Sequence, residues 1–269
     1  MFSRLMKSSE PRLVPMRKRD IDRVLRIIAQ TDDEDADAAE EQFNRQGLGG
    51  MDVLEVGGRV VGVTGHHIDD QTEGTAWLSW TYLDRDARGE GLGGFMVDTL
   101  LGRLAEQGVR KIFIDTSDYA EDGELIYARA HALYRSLGAE VELTFADYFD
   151  TGENKLVFGL ENPQYGGGAP APSPAAGGID IVDLDGAAET DDAAQIVWQE
   201  GPAGMRGMED ALRRADTGNA RFVMLTLPTD LSDTHAPTLR RYRFEPVGQL
   251  ADYYNQGLHQ HWWVRYPQD

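Results

Sequence analysis

The stretch NPQYGGGAPAPSPAAGG at 162–178 constrains this chain more than any other. It has no apolar periodicity, and its Pro, Gly and Ala content is that of a linker, so no packed core is expected to run through it. The chain is therefore expected to fold as a first part, residues 1–161, and a second, residues 179–269. With 269 residues, 41% of them apolar, there is material for one ordinary domain and a smaller one.

Before the linker, strand and helix patterns alternate. PRLVPMR reads as a short strand, and DIDRVLRIIAQ carries Ile21, Val24, Leu25 and Ile28 at helical spacing behind Asp20, a residue suited to the N-cap. DEDADAAEEQFNRQG reads as a polar helix. MDVLEV and RVVGVTGHHI read as strands joined by the hairpin pair Gly57-Gly58. AWLSWTYLD is a third long strand, followed by the glycine-rich ARGEGLGG, a helix over 95–107, the strand KIFIDTS, a helix ending at YARAHALYRSLG, and the strand pair VELTFADYF and NKLVFGL. The order β-α-α-β-β-β-α-β-α-β-β predicts a mixed α/β (α+β) domain, its mostly antiparallel central sheet flanked by helices.

The second part reads as a shorter series, a smaller α/β half-repeat. It has the hairpin IDIVDLDG and AAQIVWQE, the helix MEDALRRAD, the strand RFVMLTL and the helix HAPTLRRYRF. Its end echoes the first part without a gap: Ala146, Asp147, Tyr148 and Gly152 meet Ala251, Asp252, Tyr253 and Gly257. The expectation is a truncated internal repeat that packs on the first part. In that register Leu239 stands opposite Tyr134, so the second part is expected to be non-catalytic.

Composition excludes several function classes. A net charge of −20 argues against nucleic acid, which is bound by neutralising phosphates with Lys and Arg. It leaves steering of a cationic acceptor open, beside the plainer reading of acidity as a solubility trait. With no cysteine there is no disulfide, thiol nucleophile or thiolate metal site. No run approaches the roughly 18 apolar residues of a membrane span. MFSRLMKSSEPR has no apolar signal region, and the expectation is a cytoplasmic protein without a membrane partner.

The segment ARGEGLGG, 87–94, places four glycines between a strand and a helix. Such a loop offers free N–H groups at the positive end of a helix dipole, an anion site on which glycine lets the backbone close. A P-loop needs Lys and Ser/Thr after the last glycine, where Phe95-Met96 stand. A dinucleotide fold needs the loop after the first strand of a βαβ unit, and a kinase loop lies within a hairpin.

The spacing Arg88-x-x-Gly91-x-Gly93 resembles the pyrophosphate-binding signature of the GNAT-type N-acetyltransferase family. LSWTYLDRDARGEGLGG resembles that family's acetyl-CoA segment, and Ala130, Leu133, Tyr134 and Gly138 resemble its second motif. ADYFDTGENKLVFGL is similar to the closing hairpin of many bacterial members, and the resemblance runs over about residues 11–160. Departures are Tyr127, where many members have Asn, and Gly138-Ala139, where Gly-Phe is frequent.

The resemblance implies direct transfer of the acetyl group of acetyl-CoA to a primary amine of a small molecule or peptide, with no metal. It assigns the thioester to backbone groups at Tyr82 and Leu83, and the pyrophosphate to Arg88, Gly89, Gly91, Leu92, Gly93 and Gly94. Tyr134 falls at the family's proton-donor position, with Tyr127 second. The acceptor amine also needs a base; Asp118 is the first candidate, beside Asp147, His66 and His67. Trp77, Trp80, Tyr148 and Phe149 are aromatic candidates for the acceptor pocket, and Asp147 with Tyr148 are taken as substrate residues. A non-catalytic acyl-CoA-binding module, a transferase using a longer acyl-CoA, and a homodimer stay open. His259 and His261, two apart on a strand without a third ligand, do not make a metal site.

Overall fold

The computed structural model describes residues 10–168, 177–188, 190 and 192–267. Residues 1–9 and, within the expected linker, residues 169–176 lie outside the described residues. The first part runs β1 (Arg12–Pro15), α1 (Ile21–Ile28), α2 (Asp33–Gln46), β2 (Met51–Val56), β3 (Arg59–Asp69), β4 (Thr75–Leu83), α3 (Leu92–Glu106) and β5 (Lys111–Ser117). A small ribbon of β6 (Ala120–Glu121) and β7 (Glu124–Leu125) follows, then α4 (Ala128–Ser136), β8 (Glu140–Asp150) and β9 (Glu153–Glu161). Apart from the ribbon this is the expected order.

The strands form one sheet in the order β1-β2-β3-β4-β5-β9-β8. Every neighbour in it is antiparallel except β4 and β5. α3 buries Met96, Val97, Leu100, Leu101 and Leu104 against it, each within 1% of full burial. Burial of such a side chain contributes about 1.5–3 kcal/mol. That stripe draws the helix start back to Leu92, three residues before the expected 95, and takes Gly93 and Gly94 into its first turn. On the other face α1 and α2 bury Val24, Ile28, Ala39 and Phe43 against Val53 and Val63. Asp32, rather than Asp20, makes the side-chain cap: its Oδ1 accepts from Glu34 N, while Asp20 turns its carboxylate to Arg17 N.

Where the linker was expected to begin, the chain is still docked. Asn162 is buried and donates to Leu101 O and Val109 O, and Gln164 donates to Asp98 O.

The second part contains β10 (Gly178–Gly186), β11 (Ala194–Gly201), β12 (Gly204–Arg206), α5 (Met208–Thr217), β13 (Val223–Pro228), α6 (Thr229–Arg241), β14 (Glu245–Asn255) and β15 (Leu258–Arg265). Their sheet runs β12-β10-β11-β13-β15-β14, with β11 and β13 parallel. α6 starts six residues before the expected His235 and continues through Pro237. Burial of Leu231, His235 and Leu239 holds it, although an internal proline lacks the helix N–H. The succession β10-β11-α5-β13-α6-β14-β15 has the order and strand senses of β3-β4-α3-β5-α4-β8-β9.

The two sheets meet where β8 lies against β14. Phe113, Phe145, Tyr148, Phe222, Leu250 and Tyr253 are buried together there. Each strand kinks at an aspartate in the left-handed region, Asp147 at φ 53° and Asp252 at φ 54°. Each aspartate then accepts from the glycine N–H five residues on, at 2.6 Å (Gly152) and 2.7 Å (Gly257). The arginine before each central strand crosses to the other part's kink. Arg110 donates to Asp252 O at 2.5 Å, and Arg221 donates to Asp147 O and, at 2.8 Å, Tyr148 O.

Candidate active site

The site begins with an unfinished strand pair. β4 and β5 pair from Thr75 and Lys111 only to Leu78 and Ile114, although β4 continues to Leu83 and β5 to Ser117. A bulge against β3, where Val63 meets Tyr82 and Gly65 meets Ser79, carries Trp80 into positive φ at 46° and turns the strand end away. Beyond Leu78 a wedge opens between two parallel strands.

The glycine loop stands beyond the end of β4. After a 3-10 turn at Arg85–Ala87, Gly89 and Gly91 adopt φ 85° and 76°, a conformation that costs an L-residue about 1–2 kcal/mol. A Cβ at Gly89, Gly91 or Gly94 would meet nothing within 4 Å, so the loop faces open space. The first helical bond runs from Phe95 N to Gly91 O. The amides of Leu92, Gly93 and Gly94 precede it, and no acceptor among the described residues bonds them.

Arg88 does not pair with Glu90. Its Nε donates to Leu83 O at 2.9 Å and Nη2 to Thr31 Oγ1 at 3.2 Å, which ties the strand end to the loop after α1. Burial lowers its pKa, and the positive fields of Arg129 and Arg85 lower it further. In a chain of net charge −20, three arginines thus gather around this one loop.

Tyr134 points into the wedge from α4. It is 6% exposed, packs edge-on to Phe158 with centroids 5.7 Å apart, and stands beside the Thr81 side chain on the splayed end of β4. Burial raises its pKa, so it holds its proton at neutral pH. Beside it, Tyr82 and Tyr127 both donate to Oδ2 of Asp35 on α2, the second at 2.7 Å. The fields of Tyr134 and Tyr127 both reach Tyr82.

Other candidates lie in different surroundings. Both oxygens of Asp118 are taken by Asn154, its N at 2.8 Å and its Nδ2 at 2.7 Å, which fastens the end of β5 to β9. Asp147 and Tyr148 are not brought to this site. Asp147 shapes the β8 kink, while Tyr148, 1% exposed, lies between the two sheets and donates to Ala188 O. Hydrophobic packing between the parts removed it from any pocket. Trp77 faces that same interface and donates to the Tyr253 hydroxyl at 3.1 Å; Phe149 packs there too. Trp80 faces α2 and donates to Gln42 Oε1 at 3.0 Å. His66 is held toward neutrality by burial. His259 Nδ1 accepts from Asp252 N, and His261 Nδ1 meets Ser232 Oγ at 2.9 Å.

Sequence reasoning missed Asp35, Thr81 and Arg129. Asp35 is one of four acids in the first five residues of DEDADAAEE, and only the fold shows which one turns inward. Arg129, in the first turn of α4, carries no motif of its own.

Residues 19–139 match the model of the acetyltransferase (GNAT) family. Among solved structures the chain is similar to a GNAT-family protein from Desulfovibrio desulfuricans, with 22% identity over 57% of this chain and 98% of that one and a TM-score of 0.50. It is also similar to a protein from Salmonella typhimurium solved with its cofactor acetyl-CoA, with 18% identity over 61% and 99% of the two chains and a TM-score of 0.47. No curated protein gives a significant match.

Proposed function

From the premise that residues 19–139 form a GNAT acetyltransferase domain, we propose that this protein transfers the acetyl group of acetyl-CoA directly to a primary amine of a small molecule or peptide. One observation carries the reading: the open wedge between β4 and β5 has unbonded amides of Leu92, Gly93 and Gly94 beyond its mouth and the Tyr134 hydroxyl on its wall. The amides and the arginines around them suit the diphosphate of coenzyme A, which the positive end of α3 favours. Backbone groups at Tyr82 and Leu83, left without a β5 partner, suit the thioester. An N–H fixed there polarises the carbonyl without reorganising.

Tyr134 is the proton donor to the departing sulfur. An ordinary thiol pKa is about 8.5 and an ordinary phenol about 10, so transfer from tyrosine to thiolate starts slightly uphill. Burial raises Tyr134 further, but a thiolate leaving into the same wedge is desolvated as well. The proton therefore passes between two groups whose anions the site disfavours alike.

Residues 179–269 are read as a truncated, non-catalytic second copy of the fold, joined through the linker. The shared element order supports this, as does the loss of each site feature there. Leu239 is fully buried on α6, and the indole of Trp198 donates to Thr226 O at 2.8 Å across the gap between β11 and β13.

The test is calorimetric titration with acetyl-CoA, followed by thiol release in the presence of amines. Binding with amine-dependent release is expected; failure to bind any CoA species sinks the reading.

A further inference from the structure

The acceptor amine of such a reaction arrives as an ammonium ion, and at neutral pH only about one lysine-like amine in 2,500 is deprotonated. Asp118 has both oxygens committed to Asn154, and Asp147 lies at the interface between the two parts. We propose that Asp35 is the general base that receives this proton, an assignment that rests on the acetyl-transfer reading.

Three elements converge to hold the group. α2 supplies Asp35, β4 supplies Tyr82, and Tyr127 comes from the N-terminal end of α4. Both phenols donate to Oδ2, and no side chain among the described residues donates to Oδ1. Several part-buried carboxylates in this protein meet a cation: Asp84 meets Arg23, Asp52 meets Arg103 and Asp115 meets Lys155. Asp35 forms no ion pair among the described residues, and its partners are neutral. Neutral donors orient a carboxylate without quenching its charge.

The charged groups around it are also acids. The fields of Asp32, the cap of its helix, and of Glu34 reach it, and Glu153 on β9 reaches the field of Tyr127. Burial, followed by these like charges, raises the affinity of Asp35 for a proton against the pull of the two phenols. Tyr82 connects this group to the wedge, since it bonds Asp35 and lies within the field of Tyr134.

The step balances. The ammonium gives one proton to the Asp35 carboxylate. The freed nitrogen lone pair forms the C–N bond, and the C–S bond breaks. Sulfur takes the Tyr134 proton, and the second N–H proton returns to Tyr134. Asp35 then releases its proton to solvent.

The probes are spermidine, L-lysine and a peptide with a free N-terminal alanine, assayed with acetyl-CoA by thiol release. Asp35→Asn keeps an acceptor for both phenols and removes the base. With the most active probe, its kcat is expected to fall about 100-fold at pH 7, with acetyl-CoA affinity within twofold of the parent protein. The deficit is expected to shrink below tenfold near pH 10, where the amine arrives deprotonated. Turnover within threefold of the parent at pH 7, or a deficit independent of pH, overturns the assignment. Should none of the three probes react, carbon-13 titration of the side-chain carboxyls decides it. One resonance titrating above the ordinary aspartate range, and absent in Asp35→Asn, is expected; its absence from the parent protein overturns the proposal. A parent protein that fails to bind acetyl-CoA removes the underlying reading instead, which calorimetry reports separately.

Discussion

The two parts of this molecule have the same run of seven elements and opposite interiors at the same place. In the first, β4 and β5 part after Leu78 and the gap stays open, with Tyr134 on its wall. In the second, β11 and β13 pair only over Ala194–Val223 and Gln195–Met224, and Trp198 fills the gap beyond those pairs. The loops differ in the same sense. Gly91 caps α3 over open space, whereas Gly207 caps α5 where a Cβ would come within 2.8 Å of Ile181 O. Arg206 is bound to Asp180 rather than standing beside free amides. Parting of the parallel strands thus belongs to the fold, and the two parts differ in the side chains they bring to the gap. What the parts share is their mutual interface, in which each kinked hairpin is gripped by the other's arginine.

The sharpest way to break this comparison is at Tyr134. Tyr134→Phe is expected to lower kcat about 100-fold in the thiol-release assay while calorimetry shows unchanged acetyl-CoA affinity; Leu239→Tyr is expected to confer no activity. Unaltered turnover in the first variant rejects the proton-donor role.

The interface predicts a smaller and unequal pair of effects. Arg110 is 5% exposed and serves Glu73 O and Asp252 O, so Arg110→Ala leaves part-buried carbonyls unpaired and is expected to cost about 3 kcal/mol in urea denaturation. Arg221→Ala, at a side chain 26% exposed, is expected to cost about half as much. Equal losses contradict the burial argument.

Next come the two glycine caps. Gly91→Ala and Gly207→Ala each place a side chain at positive φ; Gly91→Ala is expected to destabilise by about 1–2 kcal/mol, and Gly207→Ala by more, because its Cβ would also meet Ile181 O. Only Gly91→Ala is expected to weaken acetyl-CoA binding as well, because it alone re-aims the amides of the open loop. Equal affinities in both variants separate the loop from the cofactor.

The smallest effect is a pH dependence. Burial lowers the pKa values of His66 and His131 in the first part and of His261 in the second. The unfolded chain then binds more protons than the folded one below the ordinary histidine value of about 6.5. Stability present above that pH is expected to decline as pH falls through it, seen as a lower denaturation midpoint at pH 5 than at pH 7. His261→Gln is expected to remove a smaller share of the decline than His66→Gln and His131→Gln together.

Much of this was written in the chain itself. The order of strands and helices, the hairpin at Gly57-Gly58, the glycine loop and Tyr134 are local patterns, and the order and the hairpin stand where they were read. The ungapped echo of Ala146–Gly152 in Ala251–Gly257 reappears as two aspartate kinks of almost equal φ. Periodicity and turn chemistry act over a few residues, so a sequence displays them directly. Long-range packing decided the rest. Tyr148 is buried because β14 lies across β8, Asp118 is occupied because Asn154 comes opposite it, and Asp35 differs from its acidic neighbours only through tyrosines 47 and 92 residues away. An aspartate's role depends on the groups that surround it, and those groups come together only once the chain has folded.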